Sequence, residues 1–156
     1  MLRKLLIVLI LNLISILAVD RMTFKYSSGG SISGNGNPGV ITLVVGLLLF
    51  IILLFYVGVL IRGFNSKSRS KLVNITLPLT SILILGIMIM GETSEIRSLS
   101  KNLNGFTNNK DSVVYRFGWI NQYTNNLFFN GYIFFAGVAL TVFIVWVVTR
   151  GFSSKL

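Results

Sequence analysis

Enzymes need side chains that carry protons, hold metals or attack electrophiles, and this chain of 156 residues offers few. It has no His and no Cys, which removes the commonest general base, the commonest metal ligand and every thiolate. Its acids are Asp20, Glu92, Glu95 and Asp111. Carboxylates can bind a cation, but these lack the spacing of a calcium loop. Arg21, Arg97 and Arg116 lie near them in sequence and offer ion pairs instead. A Ser beside a Lys can act as nucleophile and base. Here every Lys falls in a loop or tail, and no Ser within an apolar run neighbours one. The expectation is a protein with no catalytic residue, no metal site and no cofactor, and so not an enzyme.

A second group of residues is polar but sits inside apolar sequence. Asn12 lies eight residues beyond Lys4, about 12 Å deep at 1.5 Å per residue of helix. An amide in hydrocarbon needs a partner. Asn74, Thr76, Pro78, Thr80 and Ser81 make one later segment the most polar of the apolar runs, and Asn74, Thr80 or Ser81 are the partners expected for Asn12. Such contacts fix helix register; the same residues could instead line a polar path. Pro78 should kink its helix, because its ring clashes with the carbonyl of Asn74 and removes a hydrogen bond. A third group, Tyr115, Arg116, Phe117, Trp119 and Tyr123, has the composition of a protein–protein hot spot. Aromatics of this kind also anchor segments at the membrane interface.

These residues must be positioned by four long apolar runs, about 5–19, 40–61, 72–90 and 127–149, none of which contains an ionisable Asp, Glu, Lys, Arg or His. Runs of that length and purity mark helices that cross a bilayer. The composition agrees: 53% hydrophobic, 12% charged and a mean hydropathy of +0.80. A soluble domain carries roughly twice that charged fraction. The fold expected is all-α: a single membrane domain over 1–156, with loops 20–39 and 91–126 on one side and loop 62–71 on the other.

Charge gives the threading. Arg3, Lys4, Arg62, Lys67, Arg69, Lys71, Arg150 and Lys155 share one side with no acid among them, while the other side mixes all four acids with six bases. That is the positive-inside pattern. It puts both termini in the cytoplasm and makes Arg62, Lys67, Arg69, Lys71, Arg150 and Lys155 the topology-setting residues. The net charge of +10 then reflects topology and contact with anionic lipid heads, not a nucleic-acid partner. The localisation expected is a plasma membrane, most naturally a bacterial inner membrane, crossed several times.

The first run is 15 residues long, short for a crossing, and with Arg3, Lys4 and Ala18 it could be read as a cleavable signal peptide, although no clean small-x-small site precedes residue 19. Loop 20–39 is rich in Gly, Ser and Asn and reads as a flexible connector. In the larger loop, Thr93 and Asn104-Gly105 bracket Ile96, Leu99 and Leu103 at helical spacing, predicting a separate surface helix. Val113, Tyr115, Phe117 and Trp119 alternate, a strand-like period or an interfacial segment. Thr42/Gly46 and Gly137/Thr141 are small-residue pairs that permit close helix approach. Finally, 62–67 and 150–155 match at five of six positions. This suggests two tandem helical hairpins related by a twofold axis along the membrane normal.

The function expected is that of a small integral membrane protein acting by contact. It would serve as an accessory subunit of a membrane complex or as an immunity or envelope-stress protein. Its partners would be the bilayer and either another membrane protein or a second copy. The alternative is an oligomeric channel or transporter protomer with a polar path along the first and third helices.

Overall fold

The computed structural model describes residues 1–26, 36–67 and 71–153, without the side chains of 66, 67, 71 and 151–153. The element order is α1 (Leu2–Met22), α2 (Gly39–Lys67), α3 (Lys71–Asn102), α4 (Val113–Phe117), a 3-10 turn (Asn125–Leu127) and α5 (Gly131–Ser153). Among the described residues there is no strand. The glycine-rich stretch 27–35 and the expectations placed on Arg69 and Lys155 lie outside the described residues. So do the side chains of Lys67 and Lys71.

α1, α2, α3 and α5 are each long and apolar enough to cross a membrane. In the most apolar window of each, no more than 17% of the residues are buried within the chain. The rest, including Leu6, Ile10, Leu17, Leu48, Phe55, Leu83 and Ile87, point outward. So large an apolar surface is incompatible with water and suits lipid, where a helix satisfies its own backbone and needs no further donors.

α1 packs on α2, α2 on α5, and α5 on α3. A hollow of about 480 Å³ is lined by Ile16, Leu17 and Asp20 of α1, Met88 and Glu95 of α3, and the start of α5. A second hollow is lined by α2 and α5 alone. The two hairpins α1–α2 and α3–α5 are present as packed units.

The main core consists of Val19, Leu43, Phe50, Leu53, Phe129 and Phe134. The Phe50 ring lies 5.7 Å from Phe129 and 5.4 Å from Phe134, centre to centre. Two glycines make this possible. A Cβ at Gly137 would stand 2.5 Å from Phe50, and one at Gly46 would stand 2.8 Å from Phe129 and 3.2 Å from Ser15. The small residues expected at 46 and 137 thus sit where aromatic rings cross helix backbones.

Two local expectations are corrected. The third helix does not stop near 90 and restart at Thr93. α3 runs unbroken through Gly91 to Asn102, about 48 Å at 1.5 Å per residue, well beyond a ~30 Å hydrocarbon core. Gly91 is tolerated inside it because the Tyr132 ring fills the space where a side chain would be, and the Thr93 hydroxyl donates to the Met90 carbonyl of the same helix. The segment around Val113 is helical, not extended: Ser112 caps α4 by accepting from the Tyr115 N–H at 3.0 Å. The expected stop at Asn104-Gly105 does hold. Asn104 and Gly105 take φ of 61° and 89°. Their N–H groups donate to Lys101 and Ser100 carbonyls, a Schellman motif.

Candidate functional site

The two ends of the helix array differ. The cap end gathers the segment between α3 and α5 together with residues 23–26. The terminal end holds the start of α1, the end of α2, the start of α3 and the end of α5.

Leu103, Val113, Val114 and Tyr123 form a second small core at the cap end, with Tyr26, Leu99 and Phe106 against it. Tyr26 meets Tyr123 edge to face at 6.0 Å, and Phe24 N–H donates to the Gln122 carbonyl at 2.8 Å. Asn121 and Thr124, both buried, tie the turn after Trp119. Asn121 Nδ2 donates to the Gly118 carbonyl at 2.7 Å, its Oδ1 accepts from Tyr123 N–H at 2.8 Å, and the Thr124 hydroxyl donates to the Trp119 carbonyl at 2.6 Å. Asn37 and Asn125 exchange two amide hydrogen bonds, at 2.7 and 2.8 Å. Asn130 caps α5 through Ile133 N–H and donates to Glu92 Oε2 at 2.8 Å, joining α5 to α3.

On this fixed frame stand Tyr115 (53% exposed), Phe117 (38%), Trp119 (46%) and Ile120 (56%). Arg116 is exposed too and pairs with Asp111 at 3.2 Å, the one salt bridge among the described residues; so exposed a pair adds little stability. Of the residues expected to dock a partner, Tyr123 is the exception, since it is 7% exposed and belongs to the small core. Ile120 was not foreseen. It follows Trp119 directly, and alternation would have turned it inward.

The polar residues of the crossings do not assemble as expected. Asn12 is fully buried but its Nδ2 donates to the Val8 carbonyl of its own helix at 2.9 Å. α1 leans on α2, not on α3, so Asn74, Thr80 and Ser81 are not its partners. Thr76, Thr80 and Ser81 return their hydroxyls to the carbonyls of Leu72, Thr76 and Leu77. Those bonds surround Pro78, which lies buried inside the continuous α3. Asn74 instead accepts from Arg150 Nη2. Beside it, buried Asn65 donates to Thr149 Oγ1 at 3.0 Å. Sequence reasoning missed Asn37, Asn65, Asn125, Asn130 and Thr149. Their one signal was an amide or hydroxyl placed within a turn of a crossing's end.

Arg62 and Arg150, expected to set topology, both line the hollow between α2 and α5 at the terminal end. Among the described residues, no group of three His, Cys, Asp or Glu side chains could hold a metal ion. Compared with known proteins, the chain matches no family model, no curated protein and no solved structure.

Proposed function

We propose that the protein spans a bacterial plasma membrane four times with both termini in the cytoplasm. It would act without catalysis, by holding another membrane protein against its external cap. The orientation rests on the eight bases without an acid at the terminal end, against the mixed charges of the cap end. The contact function rests on one observation: three aromatic side chains and Ile120 are presented outward on a segment whose backbone is tied by its own buried amides and hydroxyls. Pre-ordered aromatics lose little entropy on docking, which is what makes such positions strong binders. A polar path along α1 and α3 has less to build on, because the hydroxyls of α3 are already engaged within it.

The test is co-purification. Extracted in mild detergent, the native chain should come out in a species that contains a second membrane protein. The triple variant Tyr115→Ala/Phe117→Ala/Trp119→Ala should insert and stay monodisperse yet lose that companion. Trp119 also packs against Phe106, ring centres 5.1 Å apart and tilted by 39°, so Tyr115→Ala/Ile120→Ala provides a milder version that leaves the frame intact. Recovery of the companion with both variants would defeat the proposal. So would a native chain that purifies alone as a homo-oligomer and passes ions in liposomes.

A further inference from the structure

The hollow between α2 and α5 has a form that the contact function does not use. It measures about 720 Å³, within the ~300–1,000 Å³ range of built small-molecule sites. Its walls are apolar, with Phe55 and Val59 on α2 facing Ile144 and Val148 on α5. It extends from Leu54 to Arg62 on α2, about 12 Å at 1.5 Å per residue. Two features open it. Gly58 gives its floor no side chain: a Cβ there would rest 3.7 Å from Val145 and 3.9 Å from Thr141, ordinary contact distances with room beyond. Among the described residues neither α1 nor α3 contributes to its lining.

At its terminal end the hollow changes character. Arg62 and Arg150 line it there, one from each helix. The Asn65–Thr149 bond links the two helices near this end, and Asn74 accepts a hydrogen bond from the Arg150 guanidinium. Among the described residues no carboxylate lines this hollow; the acidic side chains of the chain, at 20, 92, 95 and 111, belong to cap-end segments of the sequence. An apolar slot at hydrocarbon depth that ends in two guanidiniums at the membrane surface matches one kind of molecule in both halves.

We propose that this groove binds an anionic phospholipid, with its phosphate at Arg62 and Arg150 and one acyl chain along Val59, Gly58, Val148 and Ile144. A second copy of the chain is a worse occupant. A self-complementary contact through this face would bring four arginines together with no acid between them. Arginine is the side chain best shaped for phosphate, which it can meet with two N–H groups at once. The inference stands whether or not the cap docks a partner.

The experiment is native mass spectrometry of the full chain in a non-ionic detergent, with phosphatidylglycerol or phosphatidylcholine of the same acyl chains added. The native protein should retain phosphatidylglycerol about thirtyfold better, given roughly 1 kcal/mol for each of the two cations near a phosphate surface. Arg62→Gln/Arg150→Gln should abolish that preference, and Arg3→Gln/Lys4→Gln should keep it. Gly58→Leu fills the slot without touching either arginine and should cut retention of both lipids while the protein stays monodisperse. It therefore decides the matter even if the arginine variant fails to fold. Equal retention of the two lipids by the native chain would overturn the proposal. Unchanged retention in Gly58→Leu would do the same, as would loss of the preference in Arg3→Gln/Lys4→Gln, which would reduce the effect to general surface charge.

Discussion

At the cap end most of the buried amides find partners within the chain, while at the terminal end Arg62 and Arg150 line a hollow between two helices. Asn37 with Asn125, Asn121 with the turn around it, and Asn130 with Glu92 close the cap against itself. The terminal end has two cross-helix polar bonds, Asn65–Thr149 and Arg150–Asn74, and beyond them an open groove. The contrast separates two uses of polarity in a membrane helix array. Hydrogen-bonded turns make a surface that can present aromatics, while two guanidiniums beside an apolar hollow give the other end a local positive charge.

The largest effect should come from the packing that both ends share. Gly137→Leu drives a side chain into the Phe50 ring, where even a Cβ would be 2.5 Å away. Overpacking of this sort costs about 1–3 kcal/mol, and the upper value is expected because Phe50 is itself wedged between Phe129 and Phe134. The midpoint of unfolding in mixed micelles of rising SDS content would report it. An unshifted midpoint would mean that α2 and α5 do not cross at Gly137.

Next in size is the cap. Asn125→Ala removes both bonds to Asn37 and strands the amide of the partner. The loss of a buried hydrogen-bonding partner costs about 1–3 kcal/mol; we expect about 2 by the same unfolding assay. Asn65→Ala at the terminal end should cost less, about 1 kcal/mol, because the Thr149 hydroxyl still donates to the Val145 carbonyl at 2.8 Å. If Asn65→Ala proved the costlier of the two, the terminal end, not the cap, would be the rigid part of the molecule.

Much of the helical layout was legible because hydrophobic length is a local property. Runs such as 40–61 contain too many consecutive apolar residues to be anything but a crossing, and α2 duly covers that run. The Asn104-Gly105 stop was legible for the same reason, since the left-handed conformation is a preference of the residues themselves. What failed was whatever depended on a neighbour. Gly91 reads as a helix breaker until Tyr132, 41 positions later, is seen against it. Val113 and Val114 have the alternation of a strand on their flanks, yet Ser112 starts a helix and both valines turn into the small core. Asn12 needed a partner, and sequence chose α3 for it because the polar residues are there. Helix order cannot be read from composition, and α1 packs on α2. The aromatic cluster was found by composition, but only the packing of Tyr123 against Tyr26 separates the anchor from the exposed set.

The central claim is a bilayer between the two ends, with the cap outside. The absence of cysteine from the chain makes it directly measurable. Single cysteines at exposed Thr107 in the cap and exposed Phe64 at the terminal end can be probed in intact cells with a membrane-impermeant maleimide. Thr107→Cys should react at once, and Phe64→Cys only after the membrane is made permeable. Equal labelling of both positions in intact cells, or the reverse order, would contradict the account.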